Sequence, residues 1–142
     1  MKHLSDRAAE ILMTSPAVHM ATLMSANGAP KVEPVWADVE DGHVLVATDA
    51  GTIKAANVDA DSRVALSATA PDDPYEQVLV RGRVVAIRDD NDLEALDRLS
   101  QRRLGTPFPR RRWGQRIVLV IEPHTVRHYR SPLGDLARGD EA

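Results

Sequence analysis

Few residues in this chain of 142 have types and spacings that suit chemistry, and most fall away on inspection. His124 and His128 are four apart, a spacing that brings imidazoles together on a helix. They lie in "HTVRHYR", which follows Pro123 and reads as strand, where the same spacing separates them by about 13 Å. His3, His19 and His43 have no ligand spacing, and without cysteine there is no thiolate, so no metal site is expected. No serine sits in a G-x-S-x-G elbow. Asp72-Asp73 and Asp89-Asp90 fall in a loop and at a helix start, where acids belong in any case, so no catalytic residue is assigned. What remains is Lys54, two residues after Thr52, which reads as the N-cap of a helix. The positive end of a helix dipole disfavours a cation there unless an anion faces it. Lys54 reads either as a solvated helix lysine or as an anion ligand; in the second case it, the Thr52 hydroxyl and the free N–H groups of the first turn would converge on one anion such as a phosphate, with Gly51 letting the backbone approach. The run Arg110-Arg111-Arg112-Trp113 reads either as an exposed basic loop or as a grip on an anion, with the indole covering an apolar ligand face.

The elements that must position these residues follow from turn chemistry and apolar periodicity. Ser5 caps a short helix through about Met13, which Pro16 stops. Residues 18–24 read as a strand, Asn27-Gly28 as a hairpin turn, and 31–39 as the returning strand, with Pro34 marking an edge or a bulge. Asp41-Gly42 turns the chain again into 43–49, so a three-stranded antiparallel meander is expected. A helix from Thr52 to Ala60, a strand over 63–69, a loop over 70–75 and a long strand over 76–87 follow. Gly82 within that long strand signals a bulge or a close backbone approach. The next helix, from about 88, carries Leu93, Leu96, Leu99 and Leu104 as its apolar stripe and ends at Gly105. Residues 115–123 and 124–130 are further strand material, and the tail from about 131 is expected to be flexible. Six or so strands with short helices between them predict one mainly β (α+β) domain over 1–142, an antiparallel barrel or sandwich with peripheral helices.

Composition narrows the partners. With 43% hydrophobic but 4% aromatic residues, the core is built from Val, Leu, Ile and Ala, which leaves Trp36 and Trp113 conspicuous. A net charge of −3 gives no reason to expect nucleic acid. No apolar run is long enough to span a bilayer, and the N-terminus scatters charges among its apolar residues, unlike a signal peptide. The expectation is a soluble cytoplasmic protein, with neither nucleic acid nor membrane as partner.

The order of these motifs, "HMATLMSANGAPKVEPVWADVEDGHVLVATDAGTIKAANVDADSRVALS" followed by "YEQVLVRGRVVAI", resembles the split β-barrel flavin and deazaflavin oxidoreductases, a superfamily that includes the pyridoxamine 5'-phosphate oxidases. The resemblance covers roughly residues 5 to 130 and implies an antiparallel split β-barrel. It further implies that Lys54, with Thr52 and Gly51 beside it, binds the cofactor phosphate. Thr48 and Asn57 join the expected cofactor contacts, and Val35, Trp36 and the Ala21-Thr22 backbone are those expected along the ring. "EQVLVRG" echoes a strand of the oxidases that carries a cofactor-contacting glutamine, which falls on Gln77. FMN-dependent members usually carry a second basic residue just before the lysine, where this chain has Ile53, and their C-terminal Arg-x-His pattern is reduced to a distant echo in "VRHYR". The chain is more similar to the branch that uses the deazaflavin coenzyme F420. That implies hydride transfer to an electron-poor small molecule in a homodimer with the cofactor groove between subunits, and a cofactor tail of glutamates that Arg110–Arg112 can meet. FMN, or binding without catalysis, is the alternative.

Overall fold

The structure is a computed structural model and describes residues 1–137. Its elements are α1 (Asp6–Thr14), β1 (Val18–Leu23), β2 (Pro30–Val35), β3 (Asp38–Glu40), β4 (His43–Asp49), α2 (Ile53–Ala60), β5 (Arg63–Ala70), β6 (Asp73–Asp89), α3 (Glu94–Leu104), β7 (Arg116–Arg130) and α4 (Leu133–Ala137). Of the tail expected to be flexible, the first part forms α4, and residues 138–142 lie outside the described residues.

All strands join one antiparallel sheet in the order β2-β1-β5-β6-β7-β4-β3. The expected meander is corrected here. Both hairpins exist: Gly28 has a positive φ in the first turn, and Asp41 and Gly42 both do in the second. The single returning strand, however, is broken at Trp36-Ala37, and its halves go to opposite edges of the sheet. Laid flat, β2 and β3 would stand about 29 Å apart at the usual strand spacing, yet the chain from Val35 to Asp38 reaches at most about 11 Å. The sheet must therefore curl until its edges meet without pairing, which makes the fold an antiparallel split β-barrel with short helices.

Alternation along the strands fills the barrel. Val18, Met20, Val44, Val46, Leu66, Val78, Val80, Leu119 and Ile121 point inward and pack with Ile11 and Leu12 of α1 and Val58 of α2. The opposite faces of β4 and β7 carry Leu45, Val118 and Val120, which pack against Ala95 of α3. Burial on both faces explains the continuous apolar runs of these two strands. The α3 helix starts later than expected because β6 continues to Asp89. The buried Asp90 carboxylate then accepts the N–H groups of Ala95 and Leu96. Leu93, Leu96 and Leu99 are buried as expected, but Leu104 is 53% exposed.

The break between β2 and β3 is held by arginines of α3. The buried Asp38 carboxylate accepts from Arg98 Nε (2.6 Å), Arg102 Nη1 (2.8 Å) and the Val39 N–H. Burial alone would raise its pKa, but these bonds outweigh it and hold it below the usual carboxylate range. Arg103 donates to the carbonyls of Ala37 (3.0 Å), Leu12 and Ser15, tying the break to the end of α1, and burial lowers its pKa to about 10.

Pro123 does not end β7. It falls where β7 has left β4, opposite Gly82 at a register shift, so its missing N–H breaks no ladder to β4. Gly82 is needed there, since a Cβ would lie 2.1 Å from the Glu122 carbonyl oxygen. Replacing Gly82 by Ala should cost about 3 kcal/mol in urea denaturation, through displacement of backbone rather than of a flexible side chain.

A second clamp joins α1 to the barrel. The buried Glu76 receives Arg7 (Nη2 to Oε1, 2.6 Å) and lies 2.7 Å from His128 Nε2. Hydrogen bonding to Arg7, opposed by burial and aided by His128, lowers the Glu76 pKa from 4.5 to about 2. The clamp thus contributes fully above about pH 4.5 and is lost as pH falls toward 2. Melting curves between pH 7 and 2 should show a shallower acid decline for Glu76→Gln than for the wild type in that window.

Candidate cofactor site

The α2 helix begins as its sequence dictates. Thr52 is in extended conformation and its hydroxyl accepts from the Ala55 N–H at 3.4 Å. The same hydroxyl donates to the Asp49 carbonyl (2.8 Å) and lies 3.3 Å from Thr48 Oγ1. Its proton is therefore spent within the turn. The Gly51 N–H is likewise held by Asp49 Oδ1 at 2.9 Å. Gly51 is not in the left-handed region, and a Cβ there would meet only the Asp49 side chain at 3.3 Å.

Lys54 is 8% exposed, and its ammonium reaches back to β2, where Nζ lies 3.2 Å from Glu33 Oε2. Glu33 also accepts from Lys31 Nζ at 2.7 Å. Burial would raise the Glu33 pKa, but the two lysines outweigh it and hold the carboxyl below its ordinary range. The trio carries a net charge of +1. Sequence reasoning missed Glu33, since a glutamate in an edge strand has no motif; its i+2 spacing from Lys31 is the only local signal.

Asn57 and Thr22 meet beneath α2. Asn57 Nδ2 donates to Thr22 Oγ1 (3.0 Å) and to Met24 Sδ (3.6 Å), while Oδ1 accepts the Ser25 N–H (3.1 Å). Both side chains are buried, and their bonds fix α2 onto β1.

Val35 lies two residues beyond Glu33 on the same face of β2. With Trp36, Pro16, Pro34 and Phe108 it lines an apolar hollow of about 330 Å³ at the barrel's split. Ala21 is on the outer face of the sheet, in a groove of about 380 Å³ with Val32, Leu79, Arg81 and Arg127. Gln77, half-buried on β6, lies opposite Thr69 and Tyr129. The structure thus brings Lys54, Thr52, Gly51 and Thr48 to one end of α2, next to the Val35–Trp36 end of β2. Ala21 and Gln77 belong to the outer sheet face.

The basic loop between α3 and β7 borders this region. Asp97 anchors it by accepting the Phe108 N–H and both terminal nitrogens of Arg111. Phe108 meets Trp36 edge-on at 6.1 Å between ring centres and Trp113 at 5.7 Å. Arg110 stacks on Trp113 at 3.9 Å, and Arg116 lies over the same ring at 4.5 Å. Arg116 is 5% exposed, its Nε has no hydrogen-bond partner among the described residues, and burial lowers its pKa against the pull of Asp90 and Asp49. At the loop's far end the Gln115 carbonyl accepts the Ala50 N–H at 2.8 Å, so the loop runs from the split to the turn before α2.

As a donor set for a phosphate, the start of α2 offers one ammonium and the first-turn N–H groups of Ile53 and Lys54, which have no intrahelical acceptor. This fits an anion, with the Thr52 hydroxyl as structure rather than donor. Among the described residues no group of three or more His, Asp or Glu could hold a metal ion, and no helix is long and apolar enough to cross a membrane.

The sequence profile of the pyridoxamine 5'-phosphate oxidase family matches residues 4–130. The chain belongs to this family. No curated protein matches it. Among solved structures it is similar to an F420 reductase (TM-score 0.77, 24% identity, covering 87% of this chain and 98% of that one). It is also similar to a conserved hypothetical protein from Mycobacterium tuberculosis (0.66, 21%, covering 92% and 90%). General stress protein 26 from Bacillus anthracis gives 0.62 at 19%, covering 86% and 94%. At these identities the shared property is the fold.

Within this family member, Asn57→Ala should leave the buried Thr22 hydroxyl and Ser25 N–H without their partner and lower stability by about 2 kcal/mol in urea.

Proposed function

We propose that this protein is a coenzyme F420-dependent oxidoreductase that passes a hydride from the reduced deazaflavin to an electron-poor small molecule, such as an activated C=C bond or a quinone-like acceptor. The observation that carries the reading is Lys54, a buried cation in the first turn of α2 within a charge trio of net +1. A solvated helix lysine would have no reason to be buried there.

In this reading Lys54 and the N–H groups of Ile53 and Lys54 hold the cofactor phosphate, while Val35 and Trp36 bound the ring beside the split. When bound, the deazaflavin supplies the hydride chemistry; the chain's own residues bind, orient and exclude water. Thr52, Thr48, Asn57 and Thr22 act by fixing α2 against β1 and β4. Ala21 and Gln77 belong to an outer face whose exposed Val32 and Leu79 suit a second copy of the chain, so that the groove lies between subunits of a cytoplasmic homodimer. Arg110 and Arg112 are available to the anionic tail, Arg111 being engaged by Asp97.

The test is titration of ligand-free protein with F420 and with FMN, followed by fluorescence, beside Lys54→Ala. F420 should bind more tightly than FMN, and Lys54→Ala should weaken it at least tenfold, the order expected for removing a charge-assisted contact. Preference for FMN moves the protein to the flavin branch. Tight F420 binding without reduction of any acceptor leaves a carrier, and binding of neither overturns the reading.

A further inference from the structure

Glu33 is a carboxylate in direct contact with the lysine that the proposed function gives to a phosphate. Both its oxygens are engaged, Oε1 by Lys31 at 2.7 Å and Oε2 by Lys54 at 3.2 Å. The Lys54 side chain is only 10% exposed, so Glu33, not water, is its main counter-charge. An anionic ligand that reaches Lys54 meets this carboxylate at close range. Lys31 stands two residues from Glu33 on the same face of an edge strand and already makes the shorter bond. The structure shows Glu33 shared between the lysines; with Glu33 held by Lys31 alone, Lys54 would be free to turn to a ligand.

We infer that Glu33 is a specificity-determining latch, holding Lys54 in the ligand-free protein and disfavouring ligands in proportion to the negative charge on the phosphate that reaches Lys54. It thereby selects a singly charged phosphodiester over a doubly charged phosphomonoester. The inference rests on the reading of Lys54 as a phosphate ligand. The chemistry follows from charge counting. F420 carries its phosphate as a diester with one negative charge there, and FMN carries a monoester with nearly two. Repulsion from one fixed carboxylate doubles in free energy when the ligand charge doubles, so a threefold effect on the diester becomes about tenfold on the monoester.

The experiment titrates ligand-free wild type, Glu33→Gln, Lys31→Ala, Lys54→Ala and the double variant Glu33→Gln/Lys54→Ala with F420 and FMN. In parallel, the rate of Lys54 acetylation by acetic anhydride is read by peptide mass spectrometry without any cofactor. Glu33→Gln should tighten F420 about threefold and FMN about tenfold; measured against Lys54→Ala, the double variant should keep the larger gain for FMN, because the carboxylate repels the ligand directly. Lys31→Ala, which leaves Glu33 to Lys54 alone, should move both affinities the other way. Lys54 should acetylate faster in Glu33→Gln. Equal or weaker binding by Glu33→Gln, or equal gains for the two cofactors, overturns the selection. If neither wild type nor variant binds either cofactor, the phosphate reading fails and the selection with it. The acetylation rate then decides the latch alone, unchanged labelling overturning it.

Discussion

Everything in this molecule depends on one geometric constraint: two residues, Trp36 and Ala37, join the strands at opposite ends of a seven-strand order. A flat sheet cannot satisfy that connection, so the sheet curls, and the curl creates the interior that Val, Leu, Ile and Ala fill. The break is not left to the backbone alone. Asp38 is fixed by Arg98 and Arg102, and Arg103 gathers the carbonyls of Ala37, Leu12 and Ser15. Three neighbouring arginines of one short helix thus hold a three-residue strand, too short to be stable by its own ladder, against the barrel. Buried ion pairs add little net stability; what this cluster contributes is position.

That position passes to the site. Because β2 ends at the break, its Val35 and Trp36 open into a hollow instead of continuing a ladder, and Phe108 of the basic loop closes over it. Because the same strand carries Glu33 two residues earlier, the start of α2 is tied to the split by charge, through Lys54, rather than by apolar packing. The loop from α3 completes the circuit, resting on Trp36 at one end and on the Asp49 turn at the other, with two guanidinium groups stacked on Trp113 between. An anchored loop of this kind can shape a groove without supplying catalytic groups, which suits a site whose chemistry resides in a cofactor.

The hydrogen-bonded residues under α2 show how a sequence expectation and a structure can use the same side chain differently. The sequence points to the side chains of Thr52, Thr48 and Asn57, and to the backbone at Thr22, as cofactor contacts, and the structure gives each of these four side chains a hydrogen-bond partner within the chain. Their polar atoms set the pitch and depth at which α2 presents Lys54 and its first N–H groups. A ligand at that end would feel them through geometry.

By itself the sequence determined what is local. The caps at Ser5 and Thr52, the turns at Gly28 and Asp41-Gly42, the close approach at Gly82 and the inward alternation of β1, β5 and β6 all depend on φ, side-chain reach or period, and neighbouring residues set those. The oddity of Lys54 was legible for the same reason, since a helix dipole acts over one turn. Tertiary structure decided the rest. The segment 31–39 has one strand's pattern throughout, and only closure of the barrel required it to break at Trp36-Ala37. Tertiary structure also set Glu33 against Lys54, 21 positions away, and Phe108 against Trp36, 72 positions away. Contacts between distant segments depend on how the whole sheet curls, and no local pattern of charge or hydropathy encodes that curl.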